Sequence, residues 1–243
     1  WAIKDKDSTI YLFGTVHVLK PDTQWRSAKI DKALADSGDL TLELVGADDP
    51  AVMQPLVMRY GVDQANKLSA KIGPEDFKRA SELGQSAGMP PQALEMMRPW
   101  LAAVSLAMAP MIKAGYDPKS GVEGVLTRDV KAAGKPVAGL ETPEQQIRFF
   151  ADLPSATEIE FLKSSLKDAE GGAAKLDKMV AAWASGDVAA LEAQFITEMK
   201  TQYPDLYELL LVKRNVDWAN QLKTKLDGSG VSFVAVGSGH LVG

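Results

Sequence analysis

Ser8-Thr-Ile-Tyr-Leu-Phe-Gly-Thr-Val-His17 begins as an apolar run, breaks at Gly14 and presents a histidine three residues later. Val231-Ser-Phe-Val-Ala-Val-Gly-Ser-Gly-His240 repeats that plan near the other end, with Gly237 in the place of Gly14. These are the only two histidines among 243 residues. A glycine lets the backbone turn sharply where a strand ends, so a side chain three positions on can point back over the sheet edge. The shared context reads as two halves of one site.

Working outward, the apolar parts of these segments, residues 9–14 and 231–237, join 39–45 (DLTLELV) and 135–141 (KPVAGLE) as near-continuous apolar runs. Such runs suit parallel strands covered on both faces. Helical patterns lie between them. Asp22 or Thr23 is placed to cap a helix running to about Ala35 and ended by Gly38, which makes one βαβ unit. Ser120-Gly-Val-Glu123 reads as a capping box opening a helix over 122–133, Thr142-Pro starts another, and Ser155-Ala-Thr-Glu158 repeats the box. Residues 50–118 and 155–227 carry helical spacing without strands, and no Ser/Gly/Pro-rich linker marks a boundary. The expectation is one α/β domain over 1–243. Its small parallel or mixed sheet is built from both chain ends, with 50–118 and 155–227 as large helical insertions.

Composition narrows the function classes. With 27 basic and 32 acidic side chains, a net charge of −5 and no block of lysines or arginines, there is no electrostatic footprint for nucleic acid. Zero cysteines exclude disulfides and thiolate-ligated metal centres. The most apolar stretch, 101–112, is about half the ~20 residues that a bilayer crossing needs, and Pro110 interrupts it, so no transmembrane segment is expected. The chain opens Trp-Ala-Ile-Lys without a basic, apolar leader, so no signal peptide is expected within this sequence.

The remaining strands also end in chemistry, Glu43 in Leu-Thr-Leu-Glu and Glu141 in Gly-Leu-Glu-Thr. Ligands of open α/β sheets bind beyond the carboxyl ends of the strands, where His17, Glu43, Glu141 and His240 would meet. Two imidazoles and a carboxylate can hold a divalent transition metal, or serve as a metal-free acid–base set. Glu43 within an apolar strand requires a partner to offset its desolvation. Glu141 also sits where a following helix favours an acid, and Glu123 is read as the capping-box acid. Arg214 and Asn215 break an apolar helix and would hold a carboxylate or a developing oxyanion. The nine methionines read as core filler, and Gly237-Ser-Gly-His at the chain's end has no helix, second strand or ribose-binding acid to make it a dinucleotide site.

The ordered set Gly14-Thr-Val-His17, Leu-Glu43-Leu, Gly121-Val-Glu123, Gly139-Leu-Glu-Thr, Arg214-Asn215 and Gly237-Ser-Gly-His240-Leu-Val-Gly closely resembles the TraB/GumN family, related to the TIKI proteases. The resemblance spans essentially the whole chain. It implies a metal-dependent hydrolase acting on peptide bonds, with manganese or cobalt favoured over zinc, and a fold related to erythromycin esterase and the haem-binding ChaN proteins. It matches His17, His240 and Glu43 to the metal ligands and Arg214 to the helix arginine, with Glu141 and Asn215 beside them. It also implies export to the periplasm or envelope, and a helix and strand continuing past Gly243. Many relatives carry aspartate where this chain has Glu123. Two alternatives stay open: a metal-independent, esterase-like hydrolase, and a haem or ligand carrier using the same crevice without turnover.

Overall fold

The computed structural model describes residues 1–242, and the side chains of all of these except Glu170 and Phe195. Gly243, the last residue of the second histidine motif, lies outside them. Five strands form one sheet: β1 (Ala2–Lys4), β2 (Ser8–Thr15), β3 (Asp39–Leu44), β4 (Val137–Glu141) and β5 (Gly230–Gly237), in the order β1-β2-β5-β3-β4. The four strands expected from their apolar runs all pair in parallel, and β1 adds an antiparallel edge. With three residues, β1 is too short to show a pattern of its own. Thr15 lies beside Gly237 in the β2–β5 register and Leu44 beside Glu141 in the β3–β4 register. The two histidine-bearing turns and both strand-end glutamates therefore emerge at the same, carboxyl, edge.

The chain resolves into two compact units. The first comprises Trp1–Val45, Asp117–Thr142 and Lys178–Gly243, and holds the sheet. On one face of this sheet Ile10, Val234 and Val236 pack with Leu140 and Trp218. On the other, Phe13, Phe233, Trp25 and Trp183 form a run of rings 5.9–6.3 Å apart. Trp183 closes the end of β2 by donating its indole N–H to the Gly14 carbonyl at 2.8 Å.

The second unit, Gly46–Tyr116 with Pro143–Asp177, is helical around Leu68, Leu94, Ala102, Leu106 and Leu162. Prolines at the first turn open the helices Pro50–Gly61, Pro74–Ser86, Pro91–Glu95, Pro99–Lys113 and Pro143–Ala151, where a missing N–H costs nothing. Residues 50–116 of the first expected insertion lie in this unit, whereas 155–227 is divided at Asp177.

Three local expectations are corrected. The first helix is Ala28–Asp36, capped by Ser27 rather than by Asp22 or Thr23, because the Ser27 hydroxyl accepts from Ile30 N. The helix Val122–Ala132 starts at Gly121 without a side-chain cap, and Glu123 is engaged elsewhere. In Ser155–Glu170 the supposed capping acid Glu158 pairs with Arg98 instead. The apolar stretch 101–112 lies within the helix Pro99–Lys113, with Pro110 near its end. Among the described residues no helix is long and apolar enough to cross a membrane.

Candidate functional site

The first unit brings every expected site residue together at the carboxyl edge of the sheet. Glu43 comes from β3, its side chain only 11% exposed. Its Oε1 accepts from the Gly237 backbone N–H at 2.5 Å, and its Oε2 accepts from Arg214 Nη2 at 2.7 Å. These two charge-favouring bonds supply the partner that a carboxylate in an apolar strand requires. Glu141 ends β4 and is held by Arg214 at both oxygens, Nε to Oε1 at 2.8 Å and Nη2 to Oε2 at 2.9 Å, with Trp218 Nε1 also donating to Oε1 at 2.9 Å.

Arg214 reaches this place from the helix Lys213–Leu226, which follows a widened π turn at Glu208–Val212. Buried Leu206 and Leu211, five positions apart, flank the extra residue that the wider turn absorbs. Nη1 of Arg214 donates to the Leu210 carbonyl and to His240 Nε2, each at 3.1 Å. With the bonds to Glu43 and Glu141, all five N–H donors of the guanidinium have acceptors within the protein. The carboxylates that Arg214 holds are the protein's own, Glu43 and Glu141. Arg214 Cζ lies 4.6 Å from the centre of the Trp218 ring, which in turn meets the His240 ring at 4.3 Å between centroids.

The histidines differ in their surroundings. His240, in the short turn Ser238–His240, is 6% exposed; its Nδ1 lies 2.6 Å from Asn215 Oδ1 and its Nε2 3.7 Å from Glu43 Oε1. Burial, reinforced by the Arg214 and His17 charges and only partly opposed by Glu43, lowers its pKa to about 4. His17 has 67% of its side chain exposed, and its Nδ1 meets Glu123 Oε1 at 2.7 Å. The surrounding protein disfavours its charged form, but the hydrogen bond and charge of Glu123, with Glu43 adding, outweigh that and raise its pKa to about 9. Solvent at so open a side chain screens part of this effect.

Glu123 is the site residue that the sequence reading assigned to another task. The Val122 N–H binds the Val16 carbonyl at 3.1 Å, and any Cβ at Gly121 would run into the His17 carbonyl oxygen. The bare glycine lets the helix start against the His17 backbone, and Glu123 in its first turn then reaches the ring and the Thr15 hydroxyl. A glycine immediately before the helix was the available signal, but only the fold shows what presses against it.

Gly237 shapes the floor. A Cβ built there would lie 3.0 Å from Glu43 Oε1 and 3.4 Å from His17 Nε2, so the missing side chain leaves a cradle between those atoms. The donor types suit a divalent ion, two imidazole nitrogens and a carboxylate, with each imidazole tethered at its far nitrogen by an oxygen. Among the described residues, no three His, Asp or Glu side chains group closely enough to hold an ion as they stand. Binding by all three expected ligands requires the Arg214–His240 hydrogen bond to open.

"Uncharacterized protein YbaP" of Escherichia coli (strain K12) is 26% identical over 235 residues, covering 96% of this chain and 84% of its own length, and YbaP of Shigella flexneri matches equally. No solved structure matches the chain. The model of the TraB/PrgY/gumN family matches residues 1–243, and the chain belongs to that family.

Proposed function

We propose that this site is the active centre of a divalent-metal-dependent hydrolase, a peptidase of the TIKI type. His17, Glu43 and His240 would hold the ion, manganese or cobalt before zinc. The observation supporting the reading is that both histidines have Nδ1 tied to an oxygen side chain, Glu123 or Asn215, while Nε2 faces the neighbourhood of Glu43. Carboxylate and amide tethers of this kind fix the tautomer and aim of metal-binding imidazoles. When bound, such an ion brings the pKa of water toward ~7 and polarises a carbonyl. The chain's own groups do the rest. Glu123 aims His17, Asn215 aims His240, and the Gly237 N–H with Arg214 fixes the Glu43 carboxylate in place. Arg214 also binds Glu141, so the two carboxylates share one cation instead of repelling each other. The choice of peptide bond, and a periplasmic or envelope location, rest on the family resemblance.

The test is to strip the purified protein with a chelator, reload it with manganese, cobalt or zinc, desalt, and measure metal content beside hydrolysis of a peptide library. About one ion per chain is expected in the wild type, absent from His17→Ala and His240→Ala, with ~10–100-fold weaker binding in Glu123→Ala. Gly237→Ala, whose backbone φ of −49° suits alanine, should fold and lose the ion because its methyl fills the cradle. Hydrolysis indifferent to the chelator would favour the metal-independent reading.

A further inference from the structure

His240 is contacted at both ring nitrogens and at its own carbonyl by groups whose hydrogen-bonding roles are fixed. Asn215 Nδ2 lies 3.2 Å from the His240 carbonyl oxygen, and a carbonyl oxygen can only accept, so the amide nitrogen must be the atom placed there. That leaves the amide oxygen facing His240 Nδ1 at 2.6 Å. An amide oxygen cannot donate, so Nδ1 carries a proton. At the other nitrogen the partner is Arg214 Nη1 at 3.1 Å, and a guanidinium has donors only, so Nε2 must offer a lone pair. Both roles together describe one species, the neutral imidazole protonated at Nδ1.

We infer that Asn215 is a positioning residue, a two-point clamp on the side chain and backbone of His240 that, with Arg214, holds this ring in the Nδ1–H tautomer with its Nε2 lone pair accepting from Arg214. The two histidines, alike in sequence context, then stand in different situations. His17 is steered by a carboxylate at the open rim, whereas His240 is fixed by neutral and cationic partners and by the face of Trp218. The inference deepens the proposed function, because the Nε2 lone pair is what a ligand of the cradle would use once the Arg214 hydrogen bond opens. It concerns the resting protein, however, and needs neither substrate nor metal.

The experiment is a long-range 1H–15N correlation of the imidazoles in uniformly labelled, metal-free protein at pH 7. With two histidines in the chain, His17→Gln completes the assignment. The expected wild-type spectrum has His240 Nδ1 protonated and Nε2 unprotonated as a single species. Its ring protons should be displaced by the ring current of Trp218. Asn215→Asp keeps an acceptor at Nδ1 and should keep the tautomer, whereas Asn215→Leu removes the acceptor and should give mixed tautomers and a lost ring-current shift. A wild-type His240 protonated at Nε2, or a spectrum unchanged in Asn215→Leu, would overturn the inference. Absence of hydrolysis or metal binding would count against the proposed function and leave this result untouched.

Discussion

His17 and Glu123 lie 106 positions apart in sequence and 2.7 Å apart in space, and their pairing sets the charge of the most exposed member of the site. Glu123→Gln keeps an oxygen for Nδ1 but removes the negative charge. The His17 pKa should then fall from about 9 toward or below 6.5, since what remains is desolvation by the surrounding protein and the Arg214 charge working against Glu43. Following the His17 Cε1 proton by NMR across pH 5–10 reads this directly. A pKa still near 9 in the variant would mean that Glu43 is the true source of the shift. At this scale the sequence was informative about identities and less so about partnerships. His17, Glu43, Glu141, Arg214, Asn215 and His240 were all named from strand ends and one interrupted helix, and all lie in one cluster. The Glu123 pairing was missed because an acid in a first helical turn has a sufficient local explanation. The commitment of Arg214 to internal acceptors depends on distances that no spacing encodes.

Elements were legible where a local pattern governs them and hidden where a long-range contact does. Four parallel strands show in their apolar runs, although β4 proves to be a part-exposed edge, while the short antiparallel strand β1 and the real cap at Ser27 do not show. Glu158 is the sharpest case. Read locally it is a capping acid, yet it is 2% exposed and bonded to Arg98, which also donates to the Tyr60 carbonyl at 3.1 Å and the Ala151 carbonyl at 2.8 Å. One guanidinium thus joins the ends of helices Pro50–Gly61 and Pro143–Ala151 to the start of Pro99–Lys113 and the first turns of Ser155–Glu170. Removing it strands a buried carboxylate. Arg98→Met should lower unfolding stability by about 3–5 kcal/mol. Arg98→Met with Glu158→Leu should recover much of that loss, because no unpaired charge remains. Denaturant titrations of the two variants and the wild type decide it, and equal losses in the single and double variants would show that the carbonyl contacts, not the ion pair, carry the effect.

For the molecule as a whole, the opposed histidines make stability depend on pH from both sides. The folded-state pKa of His17 is raised from 6.5 to about 9, so between those values the native state keeps a proton that the unfolded chain has released. Its stabilising contribution is complete below pH 6.5 and is lost as pH rises through 9. The folded-state pKa of His240 is lowered from 6.5 to about 4, so between those values the unfolded chain binds a proton that the native state refuses. That destabilises on the acid side, progressively from pH 6.5 down to 4. The carboxylates held below their ordinary values, Glu123 and Asp63, act at pH below 4.5 and 3.8 and leave most of this window to His240. Together the histidines place a stability maximum near pH 6.5. The acid limb is on the order of 3 kcal/mol, since the ring is almost fully buried. The alkaline limb is smaller, because solvent screens the exposed His17 pair. Denaturant midpoints at constant ionic strength from pH 4 to 9 should therefore form an asymmetric dome, with His240→Gln flattening its acid side and His17→Gln its alkaline side. An alkaline decline that survives in His17→Gln would have to come from another group, and the His17–Glu123 pair would then be no more than a surface contact.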